Sequence, residues 1–350
     1  MFSASVRSIF VALIVSALGV QAMKSISLKV TGPDAVAGVE NLKVVTTVTN
    51  TGDETLKILN DPRSALSKLP ANKFSITDTK GAHPKFNGIK AKYSPETAAT
   101  LGGYTVLAPG ASIDVAHNLA DAYNFTGSGE GAYDFEADNL FYVVKDNGKV
   151  ETLYANEAQS HTARVTGNLA VARSLPNSGL TKRASFVGCT AARQTLLNTA
   201  AASAQSYASS SLSYVKSIST GTTRYTTWFG TYTSSRYSTV LSHYTKISGN
   251  TFSSYTFDCT CTDSSYAYVY PGTFGRVYLC NAFWNAPNTG TDSKAGTIIH
   301  ESSHFTANGG TDDYAYGQTA AKSLATSNPA RAILNADSHE YFTENNPSLA

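Results

Sequence analysis

The sequence predicts an α+β protein made of a β-rich N-terminal half and a mainly helical C-terminal half that contains a small sheet. Three observations support this fold class. From about 23 to 175, apolar and polar residues alternate with a period of two, which is typical of half-buried strands. Over residues 191–218, apolar residues recur at helical spacing. Over residues 296–317, an apolar helical turn leads into a run of His, Glu and Asp side chains.

The composition allows two domains but argues against a broad polyanion-binding surface. At 350 residues, the chain is long enough for two domains with sizeable cores. The formal net charge is +2 and 15% of the residues are charged. A surface with so few charges is poorly suited to a phosphate backbone, so nucleic acid is not a predicted partner.

Residues 1–22 have the organisation of a secretory signal peptide. Arg7 supplies the positive n-region, residues 9–20 form the apolar h-region, and Val20-Gln21-Ala22 resembles a cleavage site with small residues. The apolar stretch is short for a membrane span, although a single N-terminal anchor is the alternative. We therefore expect a secreted, extracellular protein with no membrane attachment after the signal is removed.

The N-terminal half reads as many short strands separated by turns rich in Gly and Pro. This pattern indicates an all-β, sandwich-like domain of antiparallel sheets. The half carries no catalytic cluster, because His83, His117 and His161 are scattered and each is interpreted as a surface or hydrogen-bonded residue. Asn124 begins an N-x-T sequon in a predicted loop, which makes it a candidate site for glycosylation. The predicted strands include residues 26–30, 42–44, 46–48, 113–115 and 133–135, and the predicted turns are at 31–33, 50–52, 108–110 and 126–129.

The C-terminal half is predicted to alternate helices with a few short strands. Helices are expected over residues 191–218, 228–247, 320–324 and 330–334, and strands over 266–270 and 276–279. Trp228 and Trp284 are interpreted as core residues. This half also holds the four cysteines, whose even number in an exported chain implies two disulfides with three possible pairings. They are Cys189, Cys259, Cys261 and Cys280.

Spacing argues against one disulfide pairing, and the predicted secretion argues against a metal-binding role for the cysteines. Cys259 and Cys261 are too close in sequence to bond each other without strain. A metal-binding Cys-x-Cys is the rival interpretation, but secretion favours oxidation of thiols.

The pattern H-E-x-x-H is the strongest chemical signal in the chain. His300 and His304 are four residues apart, so on a helix both imidazoles lie on one face and can bind one metal ion. Glu301 lies beside them, where its carboxylate can reach a metal-bound water. The plain alternative is a helix that carries two surface histidines.

A hydrolytic zinc site needs a third protein ligand and leaves one position for water. The extended pattern His-x-x-Gly-x-x-His is absent, because Ala307 and Gly310 stand in its Gly and His positions. Glu340, on a later predicted helix, is one candidate. Asp313 is nearer and follows a turn at 308–310 that can fold the chain back beneath the metal.

Residues 310–317 read G-T-x-D-x-x-Y-G, and this run after H-E-x-x-H resembles the signature of the aspzincins, the deuterolysin-like metalloendopeptidases. From about Cys189 to the end, the chain is similar to the fungal peptidyl-Lys metalloendopeptidases. The segments that carry this similarity are 225–230, 257–261, 268–271 and 335–341.

The resemblance implies a zincin-like domain with one Zn²⁺ per chain and a defined set of site residues. In the family register, Asp313 is the third ligand beside His300 and His304, whereas Asp312 stands at a variable position. Zinc in such a site lowers the pKa of its bound water, Glu301 acts as general base, and Tyr316 stabilises the oxyanion. The resemblance also implies the disulfide pairs Cys189–Cys259 and Cys261–Cys280.

Specificity is predicted to depend on a second pair of acids. Asp337 and Glu340 are three residues apart and share one face of a helix. Spacing alone favours a helix cap with Asp337 at the N-cap. The resemblance instead implies an acidic pocket for lysine, and hence cleavage of proteins and peptides on the amino side of lysine. The alternatives are a deuterolysin-like protease of broader preference and a non-catalytic binding module, which the intact Glu301 argues against.

The boundary between the halves carries a predicted processing site. A linker at 174–179 precedes Lys182-Arg183, and the family-like domain begins directly afterwards. We expect a zymogen with a signal peptide at 1–22, a β-rich propeptide at 23–183 and a monomeric metalloprotease domain at 184–350. The alternative is an ordinary exposed basic pair. The propeptide contains no cysteine, so no thiolate can block the zinc. Self-processing would cut before Lys182, whereas a dibasic-specific host protease would cut after Arg183.

Overall fold

A computed structural model of the protein describes residues 23–171 and 184–350. The predicted signal peptide, the linker at 174–179 and Lys182-Arg183 lie outside these ranges. None of the helices in the described part of the chain has the length and apolarity needed to cross a membrane.

The N-terminal half is built mainly of short strands, as the period-two alternation predicts. One α-helix, α1 (Pro95–Thr100), departs from the all-β expectation; Ser94 accepts a hydrogen bond from the Thr97 amide as its N-cap, and Pro95 stands at its first position. Asn124 lies in a two-residue strand and not in the predicted loop. The strands are β1 (Ile26–Thr31), β2 (Ala35–Ala37), β3 (Lys43–Asn50), β4 (Leu56–Leu59), β5 (Phe74–Asp78), β6 (Lys85–Phe86), β7 (Lys90–Lys92), β8 (Tyr104–Leu107), β9 (Ser112–Asn118), β10 (Tyr123–Asn124), β11 (Gly131–Ala137), β12 (Leu140–Val144), β13 (Val150–Tyr154), β14 (Glu157–Gln159) and β15 (His161–Thr166).

These strands form several small sheets that share one apolar core. The four-stranded sheets have the orders β14-β1-β3-β9, β2-β15-β11-β5 and β13-β12-β4-β8, and β10 pairs with β6. Most pairs are antiparallel, but β1 with β14 and β2 with β15 are parallel, so the wholly antiparallel expectation is wrong. Inward-facing residues such as Leu28, Val48 and Phe135 are 0 to 2% exposed. The sandwich arrangement itself stays a prediction.

The C-terminal half is mixed, with helices around a small sheet. The first long helix is confirmed, but the helix expected over residues 228–247 is divided into two. Gly230 ends the first with φ 74°, and the side chain of Thr233 caps the second. The strands are β16 (Ser185–Val187), β17 (Thr256–Asp258), β18 (Ala267–Val269) and β19 (Arg276–Leu279), and the helices are α2 (Ala191–Ser217), α3 (Thr223–Phe229), α4 (Ser234–Ser248), α5 (Asn281–Asn285), α6 (Lys294–His304), α7 (Gly317–Ser327), α8 (Pro329–Ala332) and α9 (Ala336–Glu344).

The sheet of the C-terminal half has the order β16-β17-β19-β18-β7. Its edge strand, β7, comes from the N-terminal half and pairs antiparallel with β18. Two disulfides brace the ends of the sheet strands, Cys189–Cys259 and Cys261–Cys280, with Cα atoms 5.1 and 4.7 Å apart. This is the pairing that the resemblance implies. Trp228 is buried in the helical core, whereas Trp284 is half-buried.

Candidate metal centre

Helix α6 places the two histidines of the H-E-x-x-H pattern on one buried face. The Ser293 side chain caps the helix by accepting a hydrogen bond from the Gly296 amide. His300 and His304 are both 0% exposed, and their ring centroids are 4.8 Å apart. The alternative of two surface histidines is therefore wrong.

A tight turn after α6 returns the chain beneath these rings. Gly310 adopts φ 58°, a left-handed conformation that favours glycine. The Thr311 amide then donates to the Ser303 carbonyl, and the Thr311 carbonyl lies 2.9 Å from His304 Nδ1. A proton on Nδ1 would satisfy this contact and leave Nε2 of His304 free to bind a metal.

His300, His304 and Asp313 converge with the spacing of metal ligands. Asp313 Oδ1 is 3.2 Å from His300 Nε2 and 3.3 Å from His304 Nε2. Ligand bonds of about 2.0 to 2.1 Å in a tetrahedral zinc site put neighbouring ligand atoms roughly 3.3 Å apart. None of the three atoms makes a hydrogen bond within the described residues, although all are buried. The donor set therefore fits a zinc ion, whereas the side chain of Asp312 is 46% exposed and faces Lys90.

The other nitrogen of His300 faces two carboxylates. Nδ1 lies 2.9 Å from Asp337 Oδ1 and 3.3 Å from Glu340 Oε2. Burial alone would lower the pKa of His300, but the carboxylates of Asp313, Asp337 and Glu340 outweigh it and raise that pKa well above its usual range. His300, Asp337 and Glu340 could also form a metal site by their spacing. Their arrangement is better explained as a contact in which the two acids orient the His300 ring.

Glu301 and Tyr316 both contact the Ala91–Lys92 segment of the N-terminal half. Burial raises the pKa of Glu301 to about 8. Its Oε1 accepts a hydrogen bond of 2.9 Å from the Lys92 amide, and its Oε2 has no hydrogen-bond partner among residues 23–171 and 184–350. The Tyr316 hydroxyl donates to the Ala91 carbonyl at 3.0 Å, and the Arg63 guanidinium lies 4.1 Å above its ring.

An acidic pocket next to this centre holds the Lys92 ammonium. Lys92 Nζ is 2.7 Å from Glu340 Oε2 and 2.9 Å from Asp292 Oδ1. The aromatic rings of Tyr266 and Tyr341 lie 5.0 and 5.4 Å from the same nitrogen. Such a pocket recognises an ammonium group through charge, hydrogen bonds and ring faces.

Asp292 was missed by sequence reasoning, and Asp337 has a different position from the one expected. Asp292 precedes α6 in an isolated left-handed conformation, φ 51°, which no motif marks. Asp337 lies inside α9, where its Oδ2 accepts a hydrogen bond of 2.6 Å from the Gly317 amide. It has no direct contact with the Lys92 ammonium, and it is not the N-cap, because Asn335 holds that position. The cap role is therefore wrong for Asp337, whereas its role in the lysine pocket stays a prediction.

Comparisons with known proteins identify the family of the chain. Residues 214–344 match the profile of the aspzincin family, described as lysine-specific metallo-endopeptidase. A peptidyl-Lys metalloendopeptidase of Grifola frondosa is 56% identical over 346 residues, which are 97% of this chain and 99% of the relative. One from Pleurotus ostreatus is 70% identical over 168 residues, 48% of this chain and 100% of the relative. A solved zinc peptidase from Grifola frondosa is 64% identical, with a TM-score of 0.46, and covers 46% of this chain and 100% of its own.

Proposed function

Because the chain belongs to the family of lysine-specific metallo-endopeptidases, we propose that it hydrolyses proteins and peptides on the amino side of lysine residues. The observation that carries the proposal is the acidic pocket beside the His300, His304 and Asp313 cluster. His300 belongs to both: its Nε2 faces Asp313 of the cluster, and its Nδ1 faces Glu340 of the pocket. A lysine side chain in the pocket therefore brings its own backbone amide next to the metal ligands.

We infer that one zinc ion per chain is held by His300, His304 and Asp313. When bound, zinc supplies a Lewis acid that polarises the peptide carbonyl and lowers the pKa of a water molecule. Three ligands of the chain leave a position for that water. Asp337 supports the cluster from behind by holding the Nδ1 side of His300.

Glu301 and Tyr316 are the groups of the chain that act on the peptide bond. Glu301 takes a proton from the attacking water and delivers it to the leaving amine. This role is supported by its 2.9 Å hydrogen bond to a lysine backbone nitrogen. Tyr316 donates its hydroxyl hydrogen to the carbonyl oxygen, on which negative charge develops during the attack.

Glu340 and Asp292 select lysine through its ammonium group. Glu340 is fully buried with the Lys92 ammonium against it, so a side chain that enters the pocket without a positive charge would leave this contact of the carboxylate uncompensated. A shorter or neutral side chain cannot compensate the desolvation of these acids, which makes the preference strong.

We also propose that the chain is made as a secreted zymogen with the divisions 1–22, 23–183 and 184–350. The two halves have largely separate cores, and the family profile lies wholly in the second half. The whole of the Pleurotus ostreatus relative aligns with 48% of this chain. This match supports a protease domain that stands alone after processing. The mature enzyme is then a monomer whose former partner is its own propeptide.

Digestion of an unstructured protein tests the proposed function. The enzyme isolated from culture medium is incubated with the substrate, and the new N-termini are sequenced by mass spectrometry. Nearly all of them are expected to begin with lysine. Chelation should abolish cleavage, and added zinc should restore it. Mixed N-termini would contradict the lysine preference, while cleavage that resists chelation would contradict the metal mechanism.

A further inference from the structure

Strand β7 leaves the N-terminal half and joins the sheet beside the metal ligands. It pairs antiparallel with β18, with Lys92 opposite Ala267 and Ala91 opposite Tyr268. Within the described residues, β18 is its only ladder partner. The Tyr266 amide extends the pairing by donating to the Lys92 carbonyl at 3.0 Å. Addition of an extended strand to a sheet edge is a common way for a protein to bind a peptide.

The Ala91–Lys92 peptide bond is surrounded by the groups that act on the substrate. The Ala91 amide donates to Asp313 Oδ2 at 3.1 Å. The Ala91 carbonyl accepts from Tyr316 at 3.0 Å, and the Lys92 amide donates to Glu301 at 2.9 Å. The carbonyl therefore meets the oxyanion donor, and the amide nitrogen meets the group that protonates the leaving amine.

The side chain of Lys92 fixes the register of this strand. Lys92 is 1% exposed, and its ammonium contacts Glu340 and Asp292, both from the C-terminal half. Lys90, two residues earlier, instead donates to the Thr311 carbonyl and lies 3.6 Å from Asp312, outside the pocket. Of the two lysines of β7, the one in the pocket is the one whose amide faces Glu301.

We propose that β7 is an internal substrate and that the chain cuts its own Ala91–Lys92 bond. The inference rests on the proposed function, since it uses the same lysine pocket and the same catalytic groups. Until the bond is cut, Lys92 fills the pocket and external lysine peptides are excluded. Arg63 strengthens this cover from the N-terminal half, because it donates to the Asp313 carbonyl at 3.0 Å and lies over the ring of Tyr316.

The step is a hydrolysis that consumes one water molecule. The water oxygen bonds to the carbonyl carbon of Ala91 while Glu301 takes a proton from it. The bond from that carbon to the Lys92 nitrogen then breaks, and Glu301 returns the proton to the nitrogen. The products are a new carboxyl terminus at Ala91 and a new amino terminus at Lys92.

The test follows the fate of this bond in the full-length chain. Metal-free protein is prepared, zinc is added, and intact mass and N-terminal sequence are recorded over time at several protein concentrations. We expect a fragment that begins Lys92-Tyr93-Ser94, formed with a first-order rate constant that does not depend on the protein concentration. An observed rate constant that rises in proportion to the protein concentration would place the cut between molecules and overturn the assignment.

Variants separate the pocket from general folding. Glu301→Gln should leave the bond intact, and Lys92→Ala should slow the cut by at least about 100-fold, because buried acids lose their cation. If the alanine variant fails to fold, Lys92→Arg replaces it, because arginine keeps the positive charge. It should slow the cut by about 10-fold or more. Lys80→Ala, at a lysine exposed in a turn, is the matched control and should cut at the normal rate.

Two results distinguish this inference from the proposed function. In the first, the processed enzyme from the medium cuts a lysine peptide, but the full-length chain keeps its Ala91–Lys92 bond intact, whether or not it cuts the same peptide. This result overturns the inference alone. If the processed enzyme does not cut before lysine either, the proposed function has failed.

Discussion

At the scale of single residues, three acids near His300 have three different contacts. Asp313 faces the Nε2 side, where the proposed metal ligands meet. Asp337 lies against Nδ1 and the Gly317 amide, and Glu340 reaches both Nδ1 and the lysine ammonium. Asp292 adds a fourth acid at the mouth of the pocket, where its carboxylate also accepts a hydrogen bond from Tyr341. Substitutions should therefore separate specificity from metal binding.

Glu340→Gln and Asp292→Asn are expected to lower kcat/KM for a peptide with lysine after the cleaved bond. The loss at Glu340 should be about 100-fold or more, and the loss at the half-exposed Asp292 should be smaller, because solvent screens its charge. The measurement is kcat/KM for matched peptides that carry lysine or norleucine at this position. An unchanged ratio between the two peptides would show that these acids do not select lysine.

Asp337→Asn should weaken zinc binding by about 10 to 100-fold, because an amide orients the His300 ring less firmly than a carboxylate. Zinc affinity is measured by competition with a chelator. Asp312→Asn is the matched control, since Asp312 neighbours the proposed ligand Asp313 but has an exposed carboxylate. Equal affinities for the two variants would remove the role of Asp337 behind His300.

At the scale of elements, the packing of α6 against α9 positions both the ligands and the pocket. Gly296 lets the helices approach, because a Cβ there would lie 2.2 Å from Glu344 Oε1 and 2.9 Å from Glu340 Oε1. The Glu344 carboxylate accepts hydrogen bonds from the amide and hydroxyl of Ser293 at the start of α6. Burial and the neighbouring Glu340 raise the pKa of Glu344 to about 9, so at neutral pH this group acts as a hydrogen-bond acceptor for the start of the helix and not as an anion.

Gly296→Ala is expected to destabilise the protein, although alanine has the higher helix propensity. The added methyl group must displace buried carboxylates, which costs about 1 to 3 kcal/mol and exceeds the gain of roughly 1 kcal/mol in propensity. Urea denaturation measures the free energy of unfolding. Gly272→Ala, where a Cβ meets no atom within 4 Å, should change it by less than about 0.5 kcal/mol. Similar values for both variants would contradict the tight contact.

At the scale of the whole molecule, both halves contain buried histidines whose neutral form is favoured. In the N-terminal half, His117 hydrogen-bonds to Thr46 through Nε2 at 2.9 Å, and burial lowers the pKa of His117 to about 4. In the C-terminal half, His243 and His339 contact each other at 3.0 Å, and burial lowers the pKa of His243 to about 4 and of His339 to about 3. All three favour a folded state in which imidazole carries no charge.

Stability should therefore fall on acidification. Between pH 6.5 and about 4, unfolded histidine binds a proton that the folded state excludes, so the stability present above pH 6.5 is lost as the pH falls. His117 alone contributes up to about 1.4 kcal/mol per pH unit in this window. The measurement is the free energy of unfolding of Glu301→Gln protein, which keeps the chain whole, at several pH values. Adding His117→Gln should flatten the profile, and an unchanged profile would exclude this residue as its source.

Local patterns were enough to predict a large part of the site. His300, Glu301 and His304 lie within one helix, so helical spacing decides which side chains share a face. Asp313 follows within a short turn, and its position relative to them is also set locally. The long helix α2 and the period-two strands were predicted for the same reason. The break between α3 and α4 was not predicted. Gly230 ends α3 because it adopts a positive φ, and the sequence alone does not show which glycine does so.

Contacts between distant segments were decided by the tertiary structure alone. Asp292 enters the pocket from one loop and Glu340 from a later helix, while Lys92 arrives from about 200 residues upstream. No local periodicity records which surfaces meet after the chain has folded, because burial and pairing energies depend on the whole arrangement. The sequence by itself thus determined the metal-binding motif and the class of chemistry. The tertiary structure decided which acids hold lysine and brought the chain's own Ala91–Lys92 bond to them.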